Sequence, residues 1–189
     1  NPRVNGTGMH CLEEAGIQTM TGVLENECKW LNRGFIRTMK LGRPWVTVKA
    51  AMSLDGDIAL SGGESKWISG PLSRSKAHLL RSEHDAVLVG VGTVLADDPA
   101  LTRRAGLNRS ILPHRRIVVD GRLRLAPDGK VFSPDAPGEA WLATAVPADD
   151  ARLGPFRDRG VRVLSLPSAL AGRVDLRALL AELAREEVR

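Results

Sequence analysis

Hydrophobic and polar positions change period several times along the chain. Residues 8–16 (GMHCLEEAG) predict a short helix closed by Gly16, and IQTMTGVL (17–24) then reads as a strand. From there apolar residues fall at Leu24, Cys28, Leu31, Phe35 and Met39, a helical stripe that predicts one inward face. Gly42-Arg43-Pro44 ends that pattern. Trp45–Ala51 alternates as a half-buried strand does, with Lys49 among Val46, Val48 and Ala51. Helical spacing returns over Pro71–His84 through Leu72, Ala77, Leu79 and Leu80. Ala86–Val91 and Ile117–Val119 are short, nearly continuous apolar runs, the pattern of central strands covered on both faces. Ala140–Thr144 and Val161–Leu166 predict two more strands. Asp175 is placed to cap a last helix that turns Leu176, Leu179, Leu180 and Leu183 inward. From Pro44 onward the alternation predicts an α/β fold. Before it stands only a β-α piece, too short for a domain. The last helix feeds no further strand, and both ends read as cut.

Composition narrows the function. The chain has 189 residues, 43% hydrophobic and 26% charged, enough for one core or a domain plus a fragment of another. No run approaches the roughly 18 apolar residues of a membrane span, and NPRVNGTG has no apolar signal region, so no membrane association is expected. The net charge is +5, yet the basic residues are dispersed. With no Tyr and three Phe there is little to stack on bases, so nucleic acid is not the expected partner. A sugar-phosphate or polyphosphate ligand accounts for the arginines at least as well. Cys11 and Cys28 lack metal-binding spacing and are expected to be buried as small hydrophobes; no metal site is predicted. The triplets at Asn5 and Asn108 match a glycosylation pattern by coincidence.

The candidate chemistry concentrates between Val46 and Arg104, where two strand-like runs each end in a loop rich in Gly, Ser, Thr and Asp. In open α/β sheets ligands gather at such strand ends. Gly90-Val91-Gly92-Thr93 lets a phosphate or ring approach the backbone closely, but Leu95 in the sixth position spoils a dinucleotide fingerprint. Of the adjacent Asp97 and Asp98, before Pro99, at most one carboxylate can face a ligand; the pair also suits an Asx turn. Lys49 either faces a cleft or lies on a water-facing edge. Ser53-Leu54-Asp55-Gly56 is most simply a turn. Ser65 could donate to a phosphate and Trp67 could cover a ring from the Gly-rich loop before Pro71. Arg81 and Arg104 are surface arginines by default, though their planar donors suit phosphate.

RPWVTVKAAMSLDGDIAL, GESKWISG, LLRSEHDAVLVGVGTVLADDPALT and RRIVVDG, in this order and spacing, resemble the reductase half of the bifunctional riboflavin-biosynthesis deaminase–reductase family. That half has a dihydrofolate-reductase-like sheet flanked by helices. The resemblance is strong from Arg43 to Arg104 and weak from Leu123 to Gly172. It implies that 43–189 form an NADPH-dependent reductase domain, and that 1–42 are the β-α end of a cytidine-deaminase-like domain with its junction. The implied reaction reduces the ribosyl group of 5-amino-6-(5-phosphoribosylamino)uracil to a ribityl chain. Ala51, Trp67, Thr93, Asp97 and Gly121 then match cofactor positions, and Ser65, Arg81, Leu101 and Arg104 match substrate positions. Lys49 lies beside the hydride-transfer point as the candidate catalytic residue. Ile58 falls where relatives place a Thr. The deaminase's H-x-E and P-C-x-x-C zinc motif is absent, so zinc belongs only to the missing deaminase part, and the family's glycine-rich cofactor loop would follow Arg189. A cytoplasmic homo-oligomer is expected. The alternatives are a non-catalytic nucleotide-binding module and a pteridine reductase of the same fold.

Overall fold

The computed structural model describes residues 4–103, 114–170 and 172–189. The expected substrate residue Arg104 lies outside them. The chain divides into two compact units, one built from the described part of 1–46 with 180–189, the other from 47–179.

The first unit carries three short helices: α1 (Thr7–Glu14), α2 (Glu25–Leu31) and α3 (Arg33–Leu41). Helix α1 fills the predicted 8–16 helix, and Gly16 closes it at φ 74°. Residues 17–24 do not form the predicted strand; no ladder reaches them. The single stripe from Leu24 to Met39 is also corrected. It is two helices parted at Asn32, whose side-chain amide donates to the Cys28 carbonyl at 2.9 Å. Its members face outward, Leu31 being 79% exposed, and both cysteines are exposed, not buried. Periodicity fixes which side chains share a face, but not that a second layer meets it. What order the unit has comes partly from rings: Trp30 and Trp45 meet edge to face with centroids 6.0 Å apart, and the Arg33 guanidinium lies 4.5 Å above Trp30.

The second unit is a parallel α/β layer. Helix α4 (Pro71–Ser82) leads into β1 (Ala86–Gly90), α5 (Val91–Asp97) and β2 (Arg115–Val119); β3 (Glu139–Thr144), α6 (Gly154–Asp158) and β4 (Arg162–Ser165) follow. The four strands lie side by side in sequence order, all parallel, with Gly90 opposite Val119 and Val119 opposite Ala143. Their carboxyl ends therefore share one edge. A small antiparallel pair, β5 (Ser168–Leu170) and β6 (Arg173–Val174), precedes α7 (Leu176–Arg185).

One face of the sheet closes over Val118, Leu142, Phe132, Leu153 and Phe156, all fully buried. Phe132 and Phe156 meet edge to face at 5.3 Å. The two-sided burial expected of central strands holds for β2, but not for β1, the edge strand of the described sheet, where Val87 and Val89 pack on the core and Leu88, on the other face, is 43% exposed. Asp175 caps α7 as predicted, accepting the Arg177 and Ala178 amides at 2.7 and 3.3 Å. Leu179 and Leu183 are buried and Leu180 partly so, whereas Leu176 at the first turn faces solvent.

Trp45–Ala51 is the largest departure. It pairs with no strand, Val46 through Ala50 are exposed, and Val48 is 88% exposed. Alternation gives a strand two faces, but a ladder also needs a hydrogen-bonding neighbour, which no described residue provides.

Candidate active site

Site formation begins at the carboxyl end of β1. Gly90 is the last strand residue and Val91 the first of α5, so the chain turns without a loop. A Cβ added at Gly90 or Gly92 would meet nothing within 4 Å. These glycines leave open space above the strand ends; no neighbouring protein atom requires them. Thr93 and Asp97, four residues apart on the exposed side of α5, face the same way.

Helix α5 also separates the two adjacent carboxylates. Asp98 is its C-cap in a left-handed conformation (φ 40°) and is used structurally: Oδ1 accepts the Lys130 amide at 2.9 Å and Oδ2 meets Lys130 Nζ at 3.2 Å. Those donors hold its carboxyl below the usual carboxylate range. Asp97 is left to face outward, and its Oδ1 pairs with Lys66 Nζ at 3.0 Å. This bridge brings the Gly-rich loop, with Ser65 and Trp67, against α5. Arg74 of α4 fixes the same loop from the other side. Its Nη1 donates to the Ser69 carbonyl at 2.6 Å and its guanidinium lies 4.4 Å over the Trp67 ring. Trp67 nevertheless remains 72% exposed.

The structure thus brings the loop carrying Ser65 and Trp67 to Asp97, the last residue of the helix that also carries Thr93. Lys49 is exposed and forms no ion pair among the described residues; Ala51, two residues on, is half-buried. Their segment is tied in by His84, whose Nδ1 donates to the Leu80 carbonyl at 2.7 Å, leaving Nε2 to accept the Thr47 hydroxyl at 2.9 Å. Ser53-Leu54-Asp55-Gly56 is the expected turn, closed by the Gly56 amide on the Ser53 carbonyl.

Arg81 and Leu101 lie apart from that group, beyond the far end of α5 and beside the amino end of β1. Arg81 Nη1 donates to the Thr102 carbonyl at 3.0 Å, tying the last turn of α4 to the segment after α5. Leu101 holds a left-handed backbone (φ 54°) and buries its side chain in the core. Gly121 follows β2 at the carboxyl edge, and a Cβ there would stand 2.4 Å from the Gly172 carbonyl oxygen. Close backbone approach therefore suffices to explain this glycine.

Two groups at the site were not foreseen. Lys66, next to two residues singled out, reads as an ordinary loop lysine; nothing local marks its pairing with Asp97. Asp120, fully buried after β2, accepts the Arg124 and Leu125 amides at 2.6 and 2.9 Å and shapes the strand-end turn. The D-G pair after an apolar run was its signal. Among the described residues no group of three or more His, Cys, Asp or Glu is arranged to hold a metal ion, and no helix is long and apolar enough to cross a membrane.

Residues 44–189 match the family model described as the RibD C-terminal domain. Over its whole length the chain is 36% identical to the riboflavin biosynthesis protein RibD of Escherichia coli (strain K12), covering 52% of that protein. A solved Thermotoga maritima structure, described as a diaminohydroxyphosphoribosylaminopyrimidine deaminase/5-amino-6-(5-phosphoribosylamino)uracil reductase, superposes with a TM-score of 0.81 at 33% identity, covering all of this chain and 49% of that one. Acinetobacter baumannii RibD superposes at 0.75 with 31% identity, over 96% of this chain and 48% of that one. The chain spans about half the length of the curated relatives it matches.

Proposed function

The chain belongs to the RibD C-terminal domain family, and from that membership we propose that it is the NADPH-dependent reductase module of riboflavin biosynthesis. Its fold is the α/β, dihydrofolate-reductase-like one of its structural neighbours. The substrate in this reading is 5-amino-6-(5-phosphoribosylamino)uracil and the product its ribitylamino counterpart. Residues 43–189 are the reductase part, and 1–42 are the end of a deaminase part that would hold the zinc. The protein acts in the cytoplasm as a homo-oligomer.

The observation that supports the reading best is the Lys66–Asp97 bridge. It ties the loop of Ser65 and Trp67 to Asp97 at the end of α5, the helix that carries Thr93 and starts at strand-end glycines with open space before them. That space fits a flat ring and a phosphate-bearing chain. NADPH, when bound, supplies the hydride accepted at C1 of the opened ribose. The chain's own residues do the rest. Thr93 and Asp97 hold the cofactor with hydroxyl and carboxylate, Trp67 covers an apolar face, Ala51 admits close approach, and Gly121 meets the cofactor through its backbone alone. Lys49 presents an ammonium that polarises the sugar's nitrogen or oxygen at C1 and gives it a proton as C1 takes the hydride. Ser65, Arg81, Leu101 and Arg104 are the substrate positions, with the arginines and Ser65 suited by their donors to the substrate phosphate.

Steady-state NADPH oxidation tests this. Arg104→Ala should raise the KM for the phosphorylated substrate by roughly tenfold, a loss of about 1.4 kcal/mol, while the KM for NADPH stays within about twofold. Equal movement of both constants would remove the substrate assignment. NADPH binding without substrate-dependent oxidation would point to a non-catalytic nucleotide-binding module.

A further inference from the structure

At the opposite edge of the sheet, where the strands begin, lies a cavity of about 440 Å³ with none of the candidate active-site residues in its lining. Arg116 of β2, Arg159 before β4 and Arg162 at its start contribute three guanidinium groups. Glu139 contributes the only carboxylate of the lining, already held by Trp141 Nε1 at 2.9 Å and Arg115 Nε at 3.4 Å.

Arg116 is the unusual member. It is 1% exposed, on a central strand of the sheet. Of its donors only Nη2 is used, at the long distances of 3.4, 3.4 and 3.5 Å to the carbonyls of Ser133, Ala136 and Gly138. Nε and Nη1 are buried with no partner. Desolvation lowers its pKa, and no carboxylate opposes that. A guanidinium stays charged at any physiological pH, so a buried one needs an anion or a set of acceptors. The loop carbonyls take one of its three nitrogens and leave the other two.

We infer that this cavity is a second anion site, distinct from the reductase centre, that binds a phosphate dianion, free or as the terminal group of a small phosphomonoester. The net positive lining favours a dianion over a monoanion. Nε and Nη1 of Arg116, whose hydrogens leave different sides of the guanidinium, each keep a hydrogen for a phosphate oxygen. Arg159 closes over the remainder from the rim, beside Arg162, whose guanidinium lies 4.8 Å over the Trp141 ring. Phe132 and Pro134 wall the cavity with apolar surface, which strengthens the charge interaction by excluding water.

Calorimetric titration of the full chain with inorganic phosphate and with ribose 5-phosphate, at constant ionic strength, tests it. Arg81→Ala serves as the control for the substrate-phosphate site. Saturable binding should weaken roughly tenfold or more in Arg116→Met and in the rim variant Arg159→Ala, and change by less than about twofold in Arg81→Ala. The rim variant decides the matter if Arg116→Met does not fold. Tighter binding of ribose 5-phosphate than of phosphate identifies a phosphomonoester, and the reverse a free ion. Absence of saturable binding, or a loss that follows Arg81 and spares Arg159, overturns the inference.

Discussion

At the scale of single residues, glycines separate what the fold needs from what the site needs. Gly138 sits at φ 85°, and a Cβ there would lie 2.1 Å from the His114 carbonyl oxygen, so Gly138→Ala should destabilise by about 2 to 3 kcal/mol in chemical denaturation. Gly92 is the contrast. It lies within α5 with open space before it, and Ala is the better helix former by up to about 1 kcal/mol. Gly92→Ala should therefore keep or raise the melting temperature while raising the KM for NADPH roughly tenfold. A variant that binds cofactor normally would mean that the space over Gly92 is not the nicotinamide site. The G-x-G itself was legible, being a strand-end signal. The difference between Gly92 and Gly121 was not, because it depends on the Gly172 carbonyl, 51 residues away in the numbering. Arg116 did leave a trace: a charged residue beginning the apolar run of a central strand demands a reason.

At the scale of elements, the loop and α5 meet through one exposed ion pair. With Lys66 and Asp97 side chains 60% and 39% exposed, it contributes little to stability, below about 1 kcal/mol. Its role is placement, and a double-mutant cycle tests this. If Asp97 touches the cofactor, Asp97→Asn raises the KM for NADPH by the same factor with Lys66 or with Lys66→Met. If Asp97 only tethers the loop, the two single variants match and the double variant is no worse. Elements were readable where one segment carries its own reason to form. Helix α4 has Pro71 at its start and a helical period, α7 has Asp175, and β1 to β4 are apolar runs. Ile17–Leu24 and Trp45–Ala51 misled because a strand is a property of two segments, and each supplied only one. Local pattern does not separate Asp97 from Asp98; the resemblance alone singled out Asp97, and Lys130 claims Asp98.

At the scale of the whole molecule, the excess of arginine makes acid the sensitive direction. His114 is buried at the start of β2, and its Nε2 meets the Leu101 carbonyl at 3.0 Å. A carbonyl only accepts, so Nε2 carries the hydrogen and Nδ1, which has no partner, is bare. A second proton would sit on Nδ1, buried and close enough to Arg103, Arg81 and Arg116 to feel their repulsion. Burial first, and that repulsion second, push the imidazole down from 6.5 to about 4. The unfolded chain takes the proton from about pH 6.5 downward and the folded chain only near pH 4. Stability is therefore full above 6.5 and lost as pH falls between the two, by at most about 3 kcal/mol. The lowered carboxylates act later: Asp150, held at about 2 by Arg152, loses its contribution only as pH falls below its ordinary 3.8. Denaturation midpoints measured down this range should fall first in the histidine window. His114→Gln keeps a donor for Leu101 without a titrating ring, so its midpoint should stay level until the carboxylate window. A wild-type midpoint that is flat between pH 6.5 and 4 would show that the buried ring accepts its second proton as readily as an exposed one.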